Sequence, residues 1–477
     1  MASKFPFIGS SYTERSINWD DQRTLNLYPV AAGNSYAKSP AALVGTPGLL
    51  AFITLPVSPI RALYKVDGVE RSFAVAGNKL YEIFSDFTYT ERGTLLTSVG
   101  AVDVSDNGLQ LCIVDGANGY ILTFATDVFG SITTNWRGSN TVAYLHGYFM
   151  WAEPYTNVYY WSAINDGYTI DPLDFASAEG SPDNIVAIQT IHEQFAMLGT
   201  SSIEFIYDAG TSPNPFARVQ GVFVEYGCAA PQSVVKSANT MFWLGSDKEG
   251  TGLVFMANGY QPQKISTQAV ELAIQSYSDI SDAVGYTYQE DGHYFYVLNF
   301  PQANTTWVYD INVEQWHERA YFFDGEYSRH LANSHIFAFN KHLVGDYQSG
   351  IIYEQSLAFN DDNGVPKRWL RRCPHIADTL QYIYYKSLQI DMQMGIGLND
   401  GGIQDTDPQL MLRWSDDGGY TWSNEHTVSA GKIGQYKARA IWRRLGRSRD
   451  RIFEVAGVFN CKTFLINGLL DTEAGSN

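Results

Sequence analysis

The sequence has few charged residues, few cysteines and no long uninterrupted apolar run. Only 17% of its 477 residues are charged. The four cysteines, Cys112, Cys228, Cys373 and Cys461, are far apart and lack the close spacing of a zinc site or a redox motif. Cys112 lies in the apolar stretch LQLCIV, which predicts a buried thiol in a protein assembled in a reducing compartment.

Targeting and cofactor signals are also missing. The N-terminal residues MASKFPFIGSSYTERS have no basic start followed by an apolar run, and the stretch AALVGTPGLLAFITLPV is broken by glycines and two prolines. We therefore predict neither a signal peptide nor a membrane span. No glycine-rich loop follows a strand and opens a helix, so nucleotide binding is not indicated. We predict no cofactor and no bound metal.

Aromatic residues and glycine, by contrast, are abundant. The chain has 31 Tyr, 26 Phe, 11 Trp and 42 Gly. This composition favours strands joined by tight turns over helices. A chain of this length is enough for one large β-architecture or for two to three domains.

The chain is acidic as a whole. Its 50 Asp and Glu residues outnumber 32 Lys and Arg residues, which gives a net charge of −18. A molecule of this charge repels polyanions and is a poor candidate for wrapping nucleic acid tightly. If DNA meets this protein, we expect it to pass without being gripped.

A recurring unit runs through the first three quarters of the chain. Each copy has a short apolar strand, a glycine turn and a second strand with aromatic residues, as in a β-hairpin. The copies are residues 74–83, 113–124, 144–153, 255–265, 289–300 and 343–355. Their spacing is compatible with a β-propeller of about six blades. Residues 305–319 fit the same pattern, and only residues 265–278 favour a helix.

The fold class predicted from these patterns is all-β, a β-propeller with an N-terminal arm and a C-terminal β-sandwich-like domain. Residues 1–50 hold turn-rich sequence outside the hairpin rhythm, which suggests an arm or docking segment. Residues 51–365 are assigned to the propeller. Residues 366–477 begin with the basic segment KRWLRRCPH and then become rich in strands, which suggests the C-terminal β-domain.

The C-terminal domain contains the spacing S-x-D-x-G-x-T-W. Its members are Ser415, Asp417, Gly419, Thr421 and Trp422. This is the Asp-box of sialidase-like propellers, a turn in which Ser and Asp hydrogen-bond the backbone, Gly supplies a positive φ and Trp packs beneath the hairpin. We predict a structural turn with no chemistry of its own.

Several segments together resemble the tail hub, or nozzle, proteins of short-tailed bacteriophages, which include packaged-DNA stabilisation proteins. They are RSINWDDQRTLNLYPV with a following TPGL, GTSSIEFIYDAG, VFVEYGCAAPQSVV, WVYDINVEQWHER, RWSDDGGYTWSNE and WRRLGRSRDRIFEV. The resemblance implies a virion protein that is assembled in the host cytoplasm as a homohexameric ring below the portal and adaptor. It also implies a part of the DNA ejection conduit that retains packaged DNA and carries fibre, spike or needle proteins.

Eight basic residues and a single acid, Asp450, lie between residues 432 and 451 of this acidic chain. A strand over YKARAIWRR would present Lys437, Arg439 and Arg443 on one face and bury Tyr436 and Trp442 on the other. One interpretation is pairing with acids of the same subunit. The other is contact with acidic surface on a neighbouring hub subunit or an adjoining tail protein. The candidate interface residues are Lys437, Arg439, Arg443, Arg444, Arg447 and Arg449.

Two alternatives of another class remain open, a sialidase-like glycoside hydrolase and a non-catalytic propeller that binds a glycan or a receptor. Such hydrolases need an arginine cluster, a Tyr/Glu nucleophile pair and an acid. They usually show several Asp-boxes, whereas this chain has one. We therefore predict a non-enzymatic structural protein with no catalytic residues.

Overall fold

The computed structural model describes residues 3–66, 68–237, 239–378, 381–399 and 401–475, and these form mostly strands and turns. Six strands precede the first complete blade of the propeller. They are β1 (Ser3–Phe5), β2 (Tyr12–Thr13), β3 (Asp21–Leu25), β4 (Leu27–Ala31), β5 (Ala41–Gly45) and β6 (Gly48–Thr54).

Four consecutive antiparallel sheets of four strands each follow in chain order, and we number them blades 1 to 4. Blade 1 is β7 (Ile60–Lys65), β8 (Ser72–Ala76), β9 (Lys79–Ile83) and β10 (Tyr89–Thr94). Blade 2 is β11 (Asp103–Asp106), β12 (Gln110–Val114), β13 (Gly119–Thr123) and β14 (Val128–Ser131). Blade 3 is β15 (Val142–Leu145), β16 (Tyr148–Ala152), β17 (Val158–Trp161) and β18 (Phe175–Ser177). Blade 4 is β19 (Ile185–Ile191), β20 (Gln194–Gly199), β21 (Ile203–Asp208) and β22 (Phe216–Arg218).

Three further blades complete the ring. Blade 5 is β23 (Gly227–Cys228), a 3₁₀ turn (Pro231–Ser233), β24 (Val235–Ser237), β25 (Thr240–Ser246), β26 (Thr251–Asn258) and β27 (Gln261–Lys264), and helix α1 (Gln268–Gln275) follows it. Blade 6 is β28 (Val284–Glu290), β29 (His293–Phe300), β30 (Thr305–Asp310), β31 (Gln315–Phe323) and β32 (Glu326–Arg329). Blade 7 is β33 (Ala332–Ala338), β34 (Lys341–Asp346) and β35 (Ile351–Ser356), with β6 as its fourth strand.

The seven blades surround a central cavity of about 790 Å³. Among the described residues, one inner strand of each blade contributes side chains to the cavity wall. Neighbouring blades pack face to face. Val75 and Leu80 of blade 1, for example, share a buried cluster with Leu111 and Leu122 of blade 2. Because β6 precedes blade 1 in the chain and pairs with β35 of blade 7, the ring is closed by backbone hydrogen bonds.

β36 (Asp361–Asp362) and β37 (Val365–Pro366) extend the blade 7 sheet beyond β6. The remaining elements, together with strands of the N-terminal segment, build a two-sheet sandwich. They are β38 (Arg368–Arg372), β39 (Ile376–Ala377), β40 (Ile383–Met392), α2 (Ile403–Thr406), β41 (Gln409–Ser415), β42 (His426–Ser429), β43 (Ala440–Arg443), β44 (Arg447–Ser448), β45 (Asp450–Val458) and β46 (Phe464–Ala474). One sheet has the order β4-β5-β46-β40-β43, and the other contains β3-β38-β45-β41-β42. Leu388 and Leu470 of the first sheet and Leu412 and Phe453 of the second pack in one buried core.

The predicted fold class is confirmed, and the ring has one blade more than the estimate of about six. All the hairpins that the sequence indicates are present, and the helix expected within residues 265–278 is α1. Thr267 caps this helix by accepting a hydrogen bond from the Val270 amide, and Val270 and Ile274 are buried against the blade 5 core.

Strands of the N-terminal segment pair with strands of both the propeller and the sandwich. β3 pairs antiparallel with β38 of the sandwich, and its Leu25 pairs in parallel with Glu318 of blade 6. β5 pairs with β46 in the other sandwich sheet, and β6 belongs to blade 7. The division into residues 1–50, 51–365 and 366–477 stays a prediction.

Candidate interaction surfaces

The Asp-box lies in the turn that follows β41. The Ser415 hydroxyl donates a hydrogen bond of 2.7 Å to Asp417 Oδ1 and accepts one of 2.8 Å from the Gly419 amide. The Thr421 amide donates to Asp417 Oδ1 at 2.8 Å, and its hydroxyl donates to Oδ2 at 2.6 Å. Because hydrogen bonds favour the ionised carboxylate, above all the one from the Thr421 hydroxyl, the pKa of Asp417 falls to about 2.

Glycine and tryptophan complete this turn. Gly419 has a φ of +98°, a conformation that side-chain-bearing residues rarely adopt. The Trp422 indole N–H donates to the Gly419 carbonyl at 3.1 Å. The guanidinium carbons of Arg372 and Arg413 each lie 4.8 Å from the centroid of the Trp422 ring. The polar groups of the motif therefore bond one another and the backbone of their own turn.

A buried charge network beneath the Asp-box was not anticipated from the sequence. Glu454 is 1% exposed and forms ion pairs with Arg372 and Arg413, the two residues that stack on Trp422. Arg372 also pairs with Asp21 of β3. The partners lie on four different strands and are distant in the sequence, so no local spacing could have revealed them.

The six basic residues proposed as an interface are exposed, and we call them the basic ladder: Lys437, Arg439, Arg443, Arg444, Arg447 and Arg449. The strand expected over YKARAIWRR is shorter than predicted, because β43 begins only at Ala440. Residues 431–439 form turns in which Gly431 and Gly434 have positive φ. The expected burial of Tyr436 is wrong, since its side chain is 75% exposed, whereas Trp442 is buried.

Within the described ranges, no ladder residue forms an ion pair with an acid of the same subunit. Arg447 donates a 3.1 Å hydrogen bond to the Tyr384 hydroxyl, and both Arg447 and Arg449 lie 4.5 Å from the Tyr382 ring centroid. Arg451, the next base along the chain, behaves differently. It is buried and pairs with Asp416 at 2.6 Å.

The ladder borders an open depression of about 510 Å³ lined by Tyr384, Lys386, Arg444, Arg447 and Glu473. Lys386 and Glu473 pair with each other at 2.6 Å. The charge that this depression offers to a partner is therefore that of its two arginines. Guanidinium groups present several fixed N–H donors and can bind a carboxylate or phosphate through two parallel hydrogen bonds.

Polar side chains line the central cavity of the propeller. Burial raises the pKa of Asp103 on its wall to about 6. His335 on its wall lies 3.0 Å, nitrogen to nitrogen, from His342. Burial lowers the pKa of His335 to about 3, so this ring is neutral near pH 7. Across the described ranges, no group of three or more His, Cys, Asp or Glu side chains is arranged to hold a metal. No helix among the described residues is long and apolar enough to span a membrane.

A closed propeller fused to a β-sandwich, with most of the exposed cations on the sandwich, defines a two-part protein built mostly of β-strands. The chain belongs to the family described as Bacteriophage P22 Gp10. The beta-propeller model of this family matches residues 3–358, and its beta-sandwich model matches residues 368–469. The family and its P22 member together support a structural role in a phage tail.

Individual relatives are distant. The chain is 20% identical to the tail hub protein gp10 of Salmonella phage P22 over 413 residues, which cover 82% of this chain and 84% of that protein. Among solved structures, the extracellular domain of the hybrid two component system BT4673 from B. thetaiotaomicron is 10% identical, with a TM-score of 0.44 and coverage of 80% of this chain and 47% of that chain. The Neurospora crassa Pan2 WD40 domain is 8% identical, with a TM-score of 0.41 and coverage of 65% and 94%.

Proposed function

We propose that this protein is the hub subunit of a short phage tail. Its copies form a homohexameric ring that is part of the DNA ejection conduit and helps to retain packaged DNA. Its partners are further copies of itself, a portal-adaptor protein above, and fibre, spike or needle proteins. The observation that carries this proposal is the match of both the propeller and the sandwich to one phage family in the order expected along the chain.

The charge of the molecule supports a conduit. A wall along which DNA moves must not bind phosphate strongly, because each contact retained would slow passage. One subunit carries a net charge of −18, and six copies multiply that charge sixfold. Low affinity for the DNA that passes through is then a property of the wall itself.

The DNA path in this proposal lies between subunits and does not run through a propeller. The central cavity of one propeller holds about 790 Å³ and is lined by side chains from every blade. A DNA duplex cannot enter such a space, since its major groove alone is about 12 Å wide. A ring of propellers can enclose a wider opening.

A closed propeller also suits a ring that must withstand the passage of DNA. Closing the sheet ring leaves only short edges, so each blade is supported on both sides by a neighbour. Here β6 joins residues near the start of the chain to blade 7, which prevents the ring from opening at its seam without loss of a complete strand.

Electron microscopy of the purified protein, alone and with its adaptor ring, tests this proposal. We expect rings, formed by the protein alone or on the adaptor. A protein that stays monomeric in both conditions and cleaves a fluorogenic sialoside would contradict the hub assignment and favour the hydrolase.

A further inference from the structure

The chain contains an acidic surface that is the counterpart of the basic ladder. Residues 138–217 include no Lys or Arg, and this stretch covers all of blade 3 and nearly all of blade 4. Four acids of blade 3 lie in the segments that flank β18, the outer strand of that blade, and we call them the acidic rim: Asp166, Asp171 and Asp174 in the connection from β17, and Glu179 after β18.

The acids of the rim lack cationic partners, unlike other acids of the same stretch. Glu153 pairs with Arg137 at 3.5 Å, and Glu204 pairs with Arg218 at 3.4 Å. Within the described part of the chain, none of the four rim acids forms an ion pair. They accept only local hydrogen bonds, such as that of 2.9 Å from the Leu173 amide to Asp171 Oδ1.

The rim also carries exposed apolar side chains. Leu173 is 80% exposed, Ile164 is 61% exposed and Phe175 is 44% exposed. One cation borders this surface, since Arg137 lies 4.4 Å from the centroid of the Phe175 ring and donates to the Pro172 carbonyl at 3.3 Å. Large apolar groups that remain in water beside acids without ion pairs are typical of a surface that a partner covers. Burial also raises the pKa of Asp174, and the nearby Asp171 adds to that rise, so a cation placed here would relieve repulsion.

The basic ladder has the same construction with the opposite sign. Its six cations form no ion pair within the described residues, and its exposed apolar groups are Tyr436 at 75%, Ile433 at 50% and Tyr384 at 42%. The acidic rim therefore offers carboxylates without ion pairs, and the basic ladder offers cations without ion pairs. Each surface also has exposed apolar side chains, so the two are complementary in charge and both have apolar area to bury.

We propose that the acidic rim of one copy docks on the basic ladder of a second copy. This inference rests on the hub proposal and identifies the partner of the ladder as the same chain. The two surfaces differ, so the contact is head to tail, and repeating it generates a ring when the rotation closes. Arg444 and Arg447, at the depression beside Tyr384, are placed to receive rim carboxylates through paired N–H donors.

The test is an exchange of charge between the two surfaces. The ladder variant carries Arg443→Glu, Arg444→Glu and Arg447→Glu. The rim variant carries Asp171→Lys, Asp174→Lys and Glu179→Lys. A third protein combines all six changes. The matched control reverses three exposed cations elsewhere, Arg15→Glu, Lys248→Glu and Lys462→Glu, and so has the same net charge as the ladder variant.

Circular dichroism first establishes that each variant is folded, and sedimentation then measures self-association over a range of salt concentrations, alone and on the adaptor ring. We expect the ladder and rim variants each to associate at least about 100-fold more weakly than the wild type, because like charges face each other across the contact. The combined variant should recover most of the lost affinity. The control should associate like the wild type, and the wild-type contact should weaken as salt rises.

Three results would overturn the inference. One is a combined variant no better than either parent, which would show that the ladder does not contact the rim. Another is wild-type association in the ladder variant. The third is a ladder variant that forms normal rings but loses binding to a short DNA duplex, which would make nucleic acid the partner. Failure of the hub proposal is distinguishable, since the wild type itself would then form no ring even on the adaptor, and the inference would fail with it.

Discussion

Asp417 directs both carboxylate oxygens to groups within its own turn, the Thr421 amide and hydroxyl and the Ser415 hydroxyl. Replacing Asp417 with Ala leaves these donors without their acceptor, so we predict a lowered melting temperature with ring assembly intact. Thr427→Ala on the neighbouring β42, where the side chain is exposed, is the control and should change little. Unchanged stability together with lost binding to a glycan would show that the motif is a binding site.

The same carboxylate predicts a pH dependence. Its folded pKa of about 2 lies below the ordinary value of 3.8 for an aspartate side chain. A depressed folded pKa means that the stabilisation is complete above the unfolded pKa and is lost as pH falls through the folded one. The difference in melting temperature between the wild type and Asp417→Ala should therefore be constant above about pH 5 and shrink between roughly pH 4 and pH 2. A difference that grows on acidification would contradict this origin.

Gly419 gives a backbone test at the next position of the motif. Its φ of +98° is strained for any residue with a Cβ atom, and a β-branched side chain suffers most. We expect Gly419→Val to lower the free energy of unfolding by about 1–3 kcal/mol, measured by denaturant titration. Gly33 has open space around it and no positive φ, so Gly33→Ala should be close to neutral. Equal effects at the two positions would refute the argument.

Glu454 is the residue on which the buried charges beneath the Asp-box converge. Neutralising it leaves Arg372 and Arg413 partly buried without their shared partner. We expect Glu454→Gln to destabilise the protein by about 3–5 kcal/mol in chemical unfolding. Glu473→Gln, which breaks an exposed ion pair with Lys386, should have no measurable effect. A mild effect at Glu454 would mean that the two arginines find other acceptors.

At the scale of single elements, β6 is the strand whose loss should open the propeller. Leu49 is fully buried, whereas the adjacent Leu50 points the other way and is 46% exposed. We predict that Leu49→Ala costs about 2–5 kcal/mol of stability and that Leu50→Ala costs much less. Limited proteolysis of Leu49→Ala should cut first near blade 7, the site of closure. Similar losses for the two variants would contradict the assigned faces of β6.

Elements whose partners are neighbours in the sequence could be predicted, and those with distant partners could not. Alternating apolar residues on either side of a glycine turn predict the hairpins, as in residues 289–300 of blade 6. The pairing of β6 with β35, or of β3 with both β31 and β38, has no local signal. Residues of the first 50 could therefore be recognised as unusual, but their places in the sheets could not be assigned.

The basic ladder shows the same limit within one element. Alternation in YKARAIWRR predicted a strand that buries Tyr436, but Gly431 and Gly434 direct the chain through turns, and the strand starts at Ala440. The charge of the ladder was visible in composition alone. Whether its cations were paired depended on tertiary contacts, and only the three-dimensional arrangement separates Arg451, paired with Asp416, from its exposed neighbours.

At the scale of the whole molecule, the hub proposal predicts the absence of catalysis. The buried histidine of the central cavity is neutral, and the Asp-box carboxylate is occupied by its own turn. We expect no hydrolysis of sialosides or common bacterial polysaccharides above a buffer control. Turnover that disappears when a single Glu or Tyr is changed would refute the structural role and favour a glycosidase.

The net charge gives a second prediction at this scale. We expect the assembled ring to bind duplex DNA no more tightly than non-specific proteins do, with a Kd of about 10⁻⁴ M or weaker at physiological salt, in a fluorescence anisotropy titration. The isolated subunit is the control, because its basic ladder is uncovered when no second copy occupies it. Tight binding by the ring would mean that cations line its opening.

The sheet that contains blade 6 continues through β3 into the sandwich. Asn26, directly after β3, strengthens this junction by donating from its amide to the carbonyls of Ala320 in blade 6 and Arg368 in β38. Arg23 adds an ion pair with Glu318 across the same seam. The propeller and the sandwich are thus joined by a continuous sheet, by hydrogen bonds and by an ion pair. If the hub proposal holds, a force that a fibre applies to the sandwich should be transmitted through this junction to blade 6.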